Sequence, residues 1–225
     1  MMRGRLIAVE GLDGSGKATQ AQRLTEVLRS SGLSVRELSF PNYASESSAL
    51  VRMYLSGAFG SRPDAVNAWA ASSFYAADRY AGMKTDWGGF YESGGILIAD
   101  RYTTSNAVHQ CCKLDPAAWD GYLDWLNDFE YGKLGLPEPD LVIYLRLDVA
   151  SGQRLMLERY RGDAGRKDIH EGDTEYLSRA RRAADYCAGK YGWHTVNCQD
   201  PEGNLRGIDE IADEVFAAVR PLLAG

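Results

Sequence analysis

Residues 6–28 constrain the fold more than any other stretch. Four apolar residues, Leu6 to Val9, lead into EGLDGSGKATQ (10–20), after which Ala21, Leu24, Val27 and Leu28 recur at helical spacing. A buried strand, a glycine loop and an amphipathic helix, in that order, let backbone N–H groups converge on phosphate oxygens. The helix N-terminus adds partial positive charge. Gly11, Gly16 and Lys17 have the G-x-x-x-x-G-K spacing, Gly14 and Ser15 complete the loop, and Lys17 is placed to reach the β and γ phosphates of a nucleoside triphosphate. Where Ser or Thr usually presents a hydroxyl to Mg²⁺, this chain has Ala18. Magnesium keeps several waters in such sites, so water is expected there. Thr19 carries a hydroxyl one residue later and is expected to serve a phosphate.

Further apolar runs at 34–40, 96–99, 141–145 and 194–198 read as strands. Segments 46–57, 64–85, 119–131, 150–160, 175–190 and 208–222 read as helices. Strands alternating with helices at this spacing predict five parallel strands in a three-layer α/β arrangement, here a single domain over 1–225. The charged stretch RYRGDAGRKDIHEGD (159–173) lacks apolar periodicity and is expected to be a mobile surface loop.

A formal net charge of −6 argues against a general nucleic-acid or anionic-membrane binder. Cys111, Cys112, Cys187 and Cys198 contain no C-x-x-C pair and read as buried reduced thiols. The apolar run near the N-terminus is too short for a signal peptide, and no run approaches the roughly 20 residues that span a bilayer. A cytoplasmic protein is expected.

Asp13 in the loop, FPNY (40–43), FYAADR (74–79), DRYTTSNAVHQ (100–110) and the basic stretch before the penultimate helix occur in a fixed order. Together they resemble the thymidylate kinases, which move the γ-phosphate of ATP to dTMP. The resemblance implies a P-loop NTPase fold with a lid at about 159–173, Mg²⁺ as cofactor, ATP and dTMP as substrates, and a homodimer. It implies that Asp13 holds the acceptor 3′-hydroxyl and that Arg101 grips the acceptor phosphate. Tyr75 would stack on thymine, Arg79 would reach its O4 and Asn106 would contact the base. Phe40, Ser105, His109 and Gln110 complete the acceptor set. Asp100 would meet magnesium or its waters. Some relatives carry arginine at the place of Gly14; its absence here directs the search for a transition-state cation to the basic loop, where Arg161 and Arg166 are preferred over Arg159.

Two departures from the family pattern bear on specificity. Many relatives have arginine at the place of Asn42, and commonly tyrosine at the place of His109, where it excludes a 2′-hydroxyl. His170 and His194 read as structural or surface residues. NCQD (197–200) is expected to border the adenine pocket. The 46–57 and 119–131 helices are expected to offer apolar surface for a subunit interface. A kinase of another deoxynucleotide or deoxynucleoside, or a nucleotide-binding regulator without catalysis, are the alternative readings.

Overall fold

The computed structural model describes residues 3–161, 163, 169–171 and 173–223. Its five strands are β1 (Arg5–Glu10), β2 (Val35–Ser39), β3 (Ile96–Asp100), β4 (Leu141–Arg146) and β5 (His194–Asn197), all parallel, in the order β2-β3-β1-β4-β5. Leu6, Ile7, Ala8 and Val9 are fully buried because β1 is central and covered on both faces. Alternation then divides the core. Ile7 and Val9 meet one helical layer, with Ile98, Ile143 and Leu145, whereas Leu6 and Ala8 meet the other, with Leu97, Ala99 and Val142.

The first layer is α1 (Lys17–Ser30) and α9 (Ile208–Leu223). The second layer includes α3 (Ala68–Gly82), α5 (Thr103–Cys111), α6 (Trp119–Asn127) and α8 (Thr174–Tyr191). Shorter α2 (Ala49–Leu55) and α4 (Gly88–Glu92) and the helix α7 (Val149–Arg159) complete the described α-helices. The four cysteines are free and buried. Among the described residues no helix is long and apolar enough to cross a membrane.

Two expectations are corrected. The 119–131 helix is not an exposed face: Trp119, Tyr122, Leu123 and Leu126 are buried in the core, and the helix widens into a π-helical stretch, Asp128–Lys133. Nor does the 159–173 stretch lie wholly on the surface. Ile169 donates its N–H to Leu55 O at 3.5 Å and packs against the cluster of Val51, Tyr54 and Leu55, while His170 and Glu171 are buried. Three consecutive residues without periodicity were enough to make this anchor, so a periodicity reading passes over it.

Candidate active site

In parallel α/β sheets, ligands collect at the carboxyl ends of the strands, and the predicted residues gather at that end of β1 and β3. The glycine loop follows β1 directly. Gly16, at the N-cap of α1, has a left-handed backbone (φ 87°) and gives α1 no side-chain cap; no acidic residue occupies the first turn. The first-turn N–H groups are thus left for an anion. Lys17 folds back over the loop, donating from Nζ to Leu12 O at 2.9 Å, with Asp13 Oδ1 3.6 Å away. Burial, and then the nearby Arg101 cation, depress its pKa against the pull of Asp13. Ala18 and Thr19 sit exposed on the same turn. Ser15 Oγ is buried with no partner among the described residues.

Gly14 explains why this loop carries no arginine. A Cβ built on it would lie 2.3 Å from Gly152 O and 2.8 Å from Gly152 Cα, at a backbone φ of 85°. The reverse also holds, since a Cβ on Gly152 would meet Asp13 O at 2.8 Å. Loop and α7 touch backbone to backbone.

Across from Lys17, Arg101 follows β3 with a left-handed backbone (φ 67°), its N–H held by Val9 O at 3.1 Å. Its Nη2 donates to Asp13 Oδ1, and its Nη1 approaches Ser105 Oγ at 3.3 Å and His109 Nε2 at 3.2 Å. Burial opposes the Asp13 charge, but Arg101 and then Lys17 outweigh it and hold the carboxyl far below the usual range. The Arg101 guanidinium is raised in turn: burial works against it, and Asp13 and Glu10 overcome that.

His109 has a defined tautomer. Arginine only donates, so Nε2 accepts from Arg101, and Nδ1–H faces Tyr176 Oη at 3.2 Å, whose own proton goes to His109 O at 3.0 Å. Burial, reinforced by Arg101, pushes its pKa down to about 3, so the ring is neutral at physiological pH. His170 stacks on it with ring centroids 5.6 Å apart and an interplanar angle of 11°. His170 also meets Tyr54 Oη at 2.7 Å, and burial keeps it well below its ordinary pKa.

One pocket is lined by Asp13, Phe40, Tyr75, Arg79, Arg101, Ser105, Asn106, His109 and Gln110, together with Pro41, Tyr43 and residues of other segments that include His170 and Glu171. Every acceptor-site residue expected from sequence therefore lines one cavity. Gln110 is buried with both Nε2 and Oε1 lacking partners among the described residues. Asn42 does not line the cavity; its N–H donates to Asp78 Oδ2 at 2.8 Å.

Asp100 ends β3, and its Oδ1 is buried without a partner among the described residues. Among those residues no group of three or more His, Cys, Asp or Glu side chains could enclose a metal ion. One unpaired carboxylate oxygen beside a phosphate loop fits a magnesium ion that takes its other ligands from phosphates and water.

Arg161 is exposed just past α7, with a left-handed backbone (φ 53°). Arg166 lies outside the described residues. NCQD (197–200) borders a cavity of about 730 Å³ lined by Arg146, Asp148, Arg181, Asn197, Gln199, Asp200 and Arg206. Cys198 Sγ lies 3.8 Å from Ser15 O, which puts this cavity next to the phosphate loop.

Three residues were missed. Glu10, the last residue of β1, is fully buried and accepts from Gly11 N at 2.9 Å, Thr104 Oγ1 at 2.8 Å and Ser105 Oγ at 2.7 Å, so it ties the loop to α5. Its place directly before the loop was the available signal. Glu130 is hidden in an aromatic run and pairs with Arg79. His170 was read as structural or surface but forms part of the pocket wall, and nothing in its flanking sequence marks it.

Comparison with known proteins adds a lineage to this geometry. A family model described as thymidylate kinase matches residues 9–206. A thymidylate kinase of Mycobacterium tuberculosis is 32% identical over 205 residues, covering 89% of this chain and 94% of that protein. A probable thymidylate kinase of Methanothermobacter thermautotrophicus is 31% identical over 218 residues, covering 96% and 94%. A solved structure of thymidylate kinase from Candida albicans superposes with a TM-score of 0.66 at 21% identity, over 97% of this chain and 92% of that one.

Proposed function

The chain belongs to the thymidylate kinase family, and we infer that it transfers the γ-phosphate of ATP to dTMP, giving dTDP and ADP. The observation that carries this reading is the meeting of two sites at one point: the uncapped phosphate loop with Lys17, and the Arg101–Asp13 pocket, joined through Asp13 itself.

In this reading the triphosphate lies on the N–H groups of the loop and on Lys17, with Thr19 near a phosphate and the adenine in the cavity bordered by Gln199 and Arg206. The acceptor phosphate takes the Arg101 guanidinium, and Asp13, released, accepts from the sugar 3′-hydroxyl. Tyr75 and Phe40 flank the base while Arg79, Asn106 and Gln110 read its edge. Ser105 and His109 support Arg101 from behind. The nucleophile is already a phosphate oxygen, so no general base is required. The work of the site is to place two polyanions in line and to offset their charge. Asp100 and water would hold Mg²⁺, which when bound offsets charge on the triphosphate oxygens. Arg161 or Arg166 supplies a further cation to the transferred group.

The family resemblance also supports a single-domain homodimer working in the cytoplasm. Trp69 (43% exposed) and Tyr80 (38%) on α3, and Leu50 and Met53 (both 44%) on α2, offer apolar surface for the partner. A coupled ADP-release assay across nucleoside monophosphates tests the activity: dTMP should turn over fastest, and ATP binding without turnover of any monophosphate would overturn it.

A further inference from the structure

One buried carboxylate has no part in that scheme. Glu130 lies in the π-helical stretch Asp128–Lys133, fully buried, and its partners Arg79 and Asn106 belong to the pocket end assigned to the base. Oε2 accepts from Arg79 Nε at 2.8 Å. Oε1 accepts from Arg79 Nη2 at 2.5 Å and from Asn106 Nδ2 at 2.9 Å. The wide π turn lets Glu130 face inward while its neighbour Phe129 stacks on Trp125.

This arrangement defines the direction of an amide. Asn106 Nδ2 has two partners, Glu130 Oε1 and the Ser72 carbonyl at 3.2 Å, and both can only accept. The NH₂ group therefore points at them, and Oδ1 is turned the other way, on a side chain that lines the pocket. Arg79 is held by the same carboxylate through Nε and Nη2. Nη1, 3.4 Å from Tyr102 O, is the guanidinium nitrogen that Glu130 does not engage. The pocket end thus carries an acceptor, Asn106 Oδ1, and a donor, Arg79 Nη1.

We propose that Glu130 is a positioning residue that sets the base preference of the acceptor site, by holding Asn106 and Arg79 so that they match the imide edge of thymine or uracil. That edge offers N3–H beside a carbonyl O4. Cytosine offers the reverse, a bare N3 beside an amino group, which would set acceptor against acceptor and donor against donor. A buried polar mismatch of this kind is rejected far more strongly than a missing methyl group. The inference rests on the pocket being the nucleoside monophosphate site.

The test is kcat/KM for dTMP, dUMP and dCMP in the full chain and in Glu130→Gln. The wild type should favour dTMP over dCMP by at least about 100-fold. In the variant one amide must serve three donors with a single carbonyl oxygen, so Asn106 is free to turn. The dTMP:dCMP ratio should fall by about tenfold or more, chiefly through a lower KM for dCMP, with the dTMP:dUMP ratio unchanged. Equal losses on dTMP and dCMP would overturn the proposal, since a merely structural role lowers both together. If Glu130→Gln fails to fold, the wild type decides: dTMP methylated at N3 should bind at least about 30-fold more weakly than dTMP, and equal binding overturns the proposal. No turnover of dTMP by the wild type is a different result, and it defeats the substrate reading instead.

Discussion

Arg101 donates to Asp13 across the gap between the end of β3 and the phosphate loop, so the two groups assigned to the acceptor's phosphate and sugar are bonded to each other. Binding must exchange this internal pair for two contacts to the substrate. Asp13→Asn should therefore raise the KM for dTMP by about 10- to 100-fold, with a much smaller effect on that for ATP. Steady-state kinetics with each substrate varied will show it, and equal effects on both would remove Asp13 from the acceptor site.

On the proposed reading, Lys17→Ala should lower kcat by about 1,000-fold or more with a much smaller effect on the thermal midpoint, because what the folded chain loses is one hydrogen bond to Leu12 O and the ion pair with Asp13. Single-turnover assays beside a melting curve separate the two readouts. Near-normal turnover would refute the phosphate assignment.

His109 makes stability depend on pH in a defined direction. Its pKa falls to about 3 in the folded chain, chiefly through burial, against an ordinary value of 6.5. Between those values the unfolded state binds the proton and the folded state does not. The full contribution is present above about 6.5 and is lost progressively as pH falls toward 3, with an upper bound of about 5 kcal/mol. His109→Phe should reduce the slope of the stability profile across that window, with the buried His170 keeping its own share. Denaturant midpoints measured at successive pH values test this, and an unchanged slope would contradict it.

Gln110 carries two buried amide atoms without partners among the described residues, a cost the ligand-free protein bears. Gln110→Met should raise ligand-free stability by about 1 kcal/mol and weaken dTMP binding. Calorimetric unfolding paired with titration of dTMP checks both signs. A variant that binds dTMP normally would show that the amide has no role in the pocket.

On the proposed reading, in which the exposed Arg161 past α7 serves the transferred group rather than the acceptor, Arg161→Ala should reduce kcat about 10- to 1,000-fold and leave the KM for dTMP nearly unchanged. If only Arg166→Ala has this effect, the catalytic cation lies further along the same segment.

The glycine loop, the order of strands and helices and the acceptor residues of 74–79 and 100–110 were legible because each carries a local signal: glycine and lysine spacing, apolar alternation, or a contiguous motif. Asp13, Arg79, Arg101 and Asn106 were expected from the family resemblance that those motifs carry, and the fold brings them to one cavity. Glu10, Glu130 and His170 were not, because their importance depends on partners distant in sequence: Thr104 and Ser105 for Glu10, Arg79 and Asn106 for Glu130, and His109 for His170. A lone Glu in an aromatic helix has no periodicity to betray that it will be buried against an arginine. Burial itself misled at 119–131, where the apolar face that suggested a subunit contact is turned into the core.

The backbone contact between Gly14 and Gly152 limits how this enzyme could be redesigned. Grafting an arginine onto the loop, in imitation of relatives that carry one there, would push α7 away and disturb the segment that holds Arg161. Moving a cation onto the loop is therefore not a one-step substitution, and an evolutionary route between the two arrangements would have to widen the helix–loop spacing first.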